Sequence, residues 1–118
     1  MQSSVNPFEA LRFPGIPDSE DIRNNLEYIE VFNNRKEIVK VIIADAGDGK
    51  FTFGYDIYFA SGRVAQKLPS LEMGFCTSRN NALLYFLGYM KKYSSHFSDL
   101  VMFEVDKLIG KIQQNSLF

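Results

Sequence analysis

Residues 44–50 read ADAGDGK, and their types and spacing are the first in the chain to suggest chemistry. A glycine-rich stretch closed by Lys can cradle phosphate, because glycine lets backbone N–H groups approach the oxygens while Lys brings charge. That loop needs Gly, four residues, Gly-Lys and then Ser or Thr, set between a strand and a helix. Here Ala44 stands where the first Gly belongs, and Phe51 replaces the hydroxyl that would hold magnesium. A calcium loop places oxygen ligands at alternate positions and closes on a distal Glu. Asp45 and Asp48 have the wrong spacing for it. A hairpin turn accounts for the stretch better, since Gly accepts positive φ and Asp bonds its own backbone.

Cys76 and His96 are the next candidates, as nucleophile and base, if folding brings them together. Cys76 stands just ahead of a predicted helix, a position that lowers a thiol pKa. The commoner role of an isolated Cys is burial. One Cys and one His also supply too few ligands for a tetrahedral zinc site. The carboxylates Glu27, Glu30, Glu37 and Asp56 are scattered, and solvated charge is their default role. The chain is expected to be non-enzymatic, with no catalytic residues, no metal and no cofactor.

The elements that must position these residues follow from periodicity and breakers. Residues 1–17 predict an extended arm, interrupted by Pro14, Gly15 and Pro17 but carrying Phe8, Leu11, Phe13 and Ile16 to pin it to a surface. Asp18 or Ser19 then caps a predicted helix whose apolar stripe is Ile22, Leu26 and Ile29, with Asn33-Asn34 ending it. Lys36–Ala44 is rich in β-branched residues and predicts a strand. In Phe51–Ala60 large apolar residues alternate with smaller and polar ones, the clearest strand pattern in the chain. Ser61-Gly62 predicts a tight hairpin into a shorter strand over Arg63–Lys67. Leu71–Cys76 is open to either an edge strand or a loop. Thr77 or Ser78 caps a helix with the apolar face Ala82, Leu83, Phe86, Leu87 and Met90. Ser98-Asp99 starts a last helix striped by Val101, Val105, Leu108 and Ile112, and Gln113-Gln114 lead out of it into a tail. The predicted fold is an α+β two-layer sandwich in the order α-β-β-β-α-α: a three-stranded antiparallel meander with helices on one face. Its predicted boundaries are an arm over 1–17, a domain over 18–112 and a tail peptide over 113–118.

The totals narrow the function classes. A chain of 118 residues is one domain's worth, and 46% hydrophobic residues against 23% charged excludes wholesale disorder. Net charge is -1, whereas proteins that grip nucleic acid by its phosphates carry a basic excess. A local patch of Lys50, Arg63, Lys67, Arg79, Lys91 and Lys92 still permits contact with DNA. The N-terminus has no basic start followed by an apolar run, and no stretch is apolar enough to span a membrane. A cytoplasmic location without membrane contact is expected.

The predicted order of helix, three strands and helix resembles the double-stranded-RNA-binding fold, with Thr77–Leu87 where that family places its basic helix start. This chain offers Arg79-Asn80-Asn81 there in place of a lysine run. A second resemblance lies in Gln114-Asn115-Ser116-Leu117-Phe118. It is similar to the pentapeptide by which bacterial replication and repair proteins dock on the sliding clamp: Gln, Leu, Ser or Asp, Leu, Phe. Four of the five positions match, and Asn115 replaces the apolar second residue. The resemblance implies that Leu117 and Phe118 anchor in a hydrophobic pocket, with Gln114 and Ser116 fixing register. The same pair could instead fold back onto the domain's own core. The implied protein is a small accessory of bacterial DNA metabolism, phage- or plasmid-borne, with the clamp as partner. A nucleic-acid-binding module and a homodimeric interaction domain, the latter using the last helix or the Tyr58 face of the second strand, are the alternatives.

Overall fold

The computed structural model describes residues 13–115. The chain is α+β: a four-stranded antiparallel sheet followed by two helices. The strands are β1 (Leu26–Asn33), β2 (Ile38–Asp45), β3 (Phe51–Tyr58) and β4 (Val64–Lys67), each paired with its sequence neighbour in the order β1-β2-β3-β4. The helices are α1 (Arg79–Lys92) and α2 (Asp99–Asn115). Among the described residues no helix is long and apolar enough to cross a membrane.

The meander and the closing helices agree with the sequence. The first element does not, because residues expected to form a helix supply the fourth strand. Asp18 and Asn25 adopt φ of 59° and 57°, left-handed values that no right-handed helix accommodates. The expected stripe is not one face: Ile22 precedes β1, and Leu26 and Ile29 point to opposite sides of the sheet. Ile29 pairs with Val41 and Phe32 with Val39, and a bulge between Glu30 and Phe32 puts both on one face, three residues apart. The element order is therefore β-β-β-β-α-α, and the likeness to the RNA-binding order loses its opening helix.

Register divides the sheet into two faces. Val39, Val41 and Ile43 stand opposite Ile57, Tyr55 and Phe53, and this face meets the helices. Leu83, Phe86, Leu87 and Met90 of α1 and Val101, Val105 and Ile112 of α2 complete that core. Ser78 caps α1, its hydroxyl accepting from the Asn81 amide at 3.1 Å. Helix α2 starts at a cap in two parts. The Ser98 hydroxyl accepts from the Val101 amide, and the Ser98 amide donates to Glu37 Oε2 at 3.1 Å. A capping box normally takes its second half from the third helical residue. Here Val101 holds that position, and buried Glu37, from the β1–β2 turn, supplies the missing half.

The opposite face also hides Ile42, Ala44 and Thr52. Residues 68–75 leave β4 and fold across it. The Thr52 hydroxyl lies within hydrogen-bond reach of the Ser70 and Gly74 carbonyls, at 3.2 and 3.1 Å. Any Cβ on Gly54 would collide with the Lys67 carbonyl oxygen, so only glycine admits the crossover. Leu71–Met73 is one turn of 3-10 helix, and Cys76 pairs with Phe51. Residues 13–22, the described end of the expected arm and the start of the expected helix, lie along this crossover. The amides of Phe13, Ile16 and Ile22 donate to the carbonyls of Phe75, Leu71 and Pro69, each at 2.8 Å. The Phe13 and Phe75 rings stack at 5.0 Å.

Candidate functional site

Helix α1 packs over β2 and β3, and α2 packs over β1 and against α1. Neither packs extensively on β4, and beside that strand lies a groove of 150 Å³. Tyr55, Ile57 and Ala65 form its floor, and Phe86, Tyr89, Met90 and Tyr93 of α1 form one wall. Phe59, Arg63, His96 and Phe97 close one end. The aromatic rings pack in three separate pairs, with centroids 6.2 Å apart for Tyr55 and Phe86, 5.0 Å for Tyr89 and Tyr93, and 5.4 Å for Phe59 and Phe97. Burial, with the Tyr93 hydroxyl beside it, raises the Tyr89 phenol above its ordinary pKa, so it stays neutral and can donate. Arg63 lies over the Phe59 ring at 5.2 Å and Lys92 over Tyr93 at 5.8 Å. The lining holds Arg63 and His96 and no carboxylate. Such a surface binds apolar or aromatic groups and favours anionic neighbours.

The structure separates most of the residues singled out in the sequence. Cys76 is buried ahead of α1 and His96 is exposed beyond its far end. The helix between them spans about 20 Å, so thiol and imidazole form no dyad. Among the described residues no three His, Cys, Asp or Glu side chains gather as metal ligands. Ala44–Lys50 closes the β2–β3 hairpin, with Gly47 N–H donating to Asp45 Oδ1 at 2.9 Å.

The six basic residues do not form one patch. Lys50 and Arg79 lie near the Phe51–Cys76 pair, while Arg63, Lys91 and Lys92 lie at the other end of the sheet and helix. Two are engaged in ion pairs. Arg79 grips Glu27 through Nε at 2.6 Å and a second nitrogen at 2.7 Å, and Lys91 reaches Asp106 at 2.6 Å. The Arg79 hydrogen bonds hold the Glu27 carboxyl below the usual range despite partial desolvation. Lys50 stands over the Phe75 ring, and Lys67 is paired with Tyr55 at the sheet edge.

Gln113 and Gln114, expected to lead out of the last helix, are instead part of it, and Gln114 is exposed. Ser116, Leu117 and Phe118 lie outside the described residues. The groove itself had one sequence signal, the Tyr89–Tyr93 pair one turn apart beside the apolar stripe of α1. The chain matches no protein-family model, no curated protein and no solved structure.

Proposed function

We propose that this chain is a non-enzymatic adaptor of bacterial DNA metabolism that holds one partner in the aromatic groove and docks on the sliding clamp through Gln114, Ser116, Leu117 and Phe118. The groove carries this reading: it is apolar, ringed by aromatic side chains, and neighboured by no assembled acid, base or nucleophile among the described residues. Such a lining suits binding rather than bond-making. The tail adds the second contact. Gln114 occupies the exposed last turn of α2, where fraying costs little, so the pentapeptide can extend without disturbing the core. Two contacts on one small domain make a tether.

The test is binding of the intact protein to a purified bacterial sliding clamp, beside a version ending at Gln113. Micromolar binding that vanishes with the tail supports clamp docking. Equal binding by both versions, or none at tens of micromolar, rejects it.

Self-association through α2 is the second reading, favoured by Leu100 and Phe103, which are 62% and 61% exposed on its outer side. Sedimentation would show twice the 13.5 kDa chain mass, restored to the single mass by Phe103→Glu. A single mass at millimolar protein would rule it out.

A further inference from the structure

We infer that the groove takes an extended acidic peptide that pairs with the outer edge of β4 as a fifth strand. This rests on the groove being an interaction site, and not on the clamp-docking tail. Two separate observations converge on it. The first is backbone. The Phe59 amide donates to the Arg63 carbonyl at 2.9 Å, so Phe59 and Arg63 are a bonded pair at the start of the β3–β4 ladder. Antiparallel ladders alternate. Ala65 and Lys67 therefore face β3, while Val64 and Gln66 turn their N–H and C=O groups away from the sheet. Both residues are exposed. Strand β4 is the last in the sheet, and a bound strand would satisfy these groups with up to four backbone hydrogen bonds.

The second observation is the side-chain environment beside that edge. Alternate side chains of an added strand would project toward the helix face, where Tyr89 and Tyr93 wall the groove. Large apolar residues at every second position fit there. The charge is one-sided: Arg63 and His96 line the groove without a carboxylate, and Arg63, Lys67 and Lys92 have no ion-pair partner among the described residues. Asp56 stands in register with Gln66, on the opposite face of the sheet, and is bonded to its amide. The complementary peptide alternates Phe or Leu with Glu or Asp.

The probe is a dye-labelled peptide, Glu-Phe-Asp-Phe-Glu-Leu-Asp, titrated into the full chain while amide exchange is followed by NMR. The Val64 and Gln66 amides should exchange as unpaired groups in the free protein and become protected at saturation. Val64→Pro, which removes one outward N–H and leaves the β3 pairing intact, should weaken binding about tenfold. Arg63→Glu, which leaves the backbone alone, should weaken it at least as much. A peptide with Ser in place of its apolar residues should not bind. Protection of both amides before any peptide is added would overturn the inference, because the edge would already be covered by this chain or a second copy. Tyr89 and Tyr93 resonances that shift without protection of Val64 and Gln66 would overturn strand addition and leave the interaction site standing. No binding at millimolar peptide, or tighter binding of oligothymidylate at the same residues, would overturn the peptide assignment.

Discussion

Removing Glu37 should loosen the start of α2, which it touches from a distant part of the sequence. The residue is only 5% exposed, and its Oε2 accepts the Ser98 amide across 61 positions of sequence. A hydrogen bond to a charged acceptor contributes about 1.5–3 kcal/mol, and a carboxylate at a partly buried helix N-terminus adds up to about 2 kcal/mol more. These contributions overlap, because the helix charge acts largely through that one amide. We therefore expect Glu37→Ala to cost about 2–3 kcal/mol, including the orphaned Ser98 amide. Glu37→Gln keeps an acceptor of the same shape and loses the charge, so it should cost about 1 kcal/mol. Urea unfolding of both variants, analysed by linear extrapolation, gives the two values, and the alanine variant should melt about 8–12 °C lower. Amide exchange in the first turn of α2 should quicken in the same order. A Glu37→Ala variant within 0.5 kcal/mol of the parent would refute the divided cap (a threshold of about the usual surface effect).

Two further outcomes follow from contacts described above. The Glu27 carboxyl is held below its unfolded range by Arg79, so the pair stabilises fully above the ordinary Glu range and loses its contribution as pH falls through the lowered value. Both side chains are nearly half exposed, which limits the effect to about 0.5 kcal/mol; Arg79→Leu should show that gap at neutral pH and lose it in acid or high salt, and a gap that widens in acid would contradict the assignment. Gly54→Ala should push the 68–75 crossover off the sheet at a cost of about 1–3 kcal/mol, detected as faster proteolysis within 68–75 while α1 remains protected; an unchanged proteolysis rate would count against the close approach.

Strands β2, β3 and β4 and both helices are legible in the sequence because each writes its own period. The alternation in Phe51–Tyr58 and the caps at Ser78 and Ser98 are local signals. What escaped depends on distant partners. Leu26 and Ile29 show an i, i+3 apolar spacing, in isolation the mark of a helix, although their partners Ala44 and Val41 lie on opposite faces of the sheet. The arm and crossover pair through backbone groups, which leave no side-chain period to read. Glu37 is just another carboxylate until the fold brings Ser98 to it. The groove gathers Tyr55, Phe59, Tyr89, Tyr93 and Phe97 from separate elements, and the local apolar pattern already accounts for most of them. The basic residues are dispersed for the converse reason. Their positions suggest a patch only while the length of α1 and the competing carboxylates Glu27 and Asp106 are out of view.

The arm and the crossover also set an order of events in time. Every strand pairs with its neighbour in sequence, so the meander can close through short loops and without long searches. Residues 13–22 have no such local partner. Ser70 reaches Ser19 across 51 positions, and the Ile22 amide finds its acceptor on Pro69, also far along the chain. At translation rates of 5–20 residues per second, the arm waits about 3–10 s on the ribosome before its docking surface has been made. It is made before the surface that holds it and is among the last segments to be tied down. It should therefore be where a slow folding phase, and any premature contact with another chain, is found.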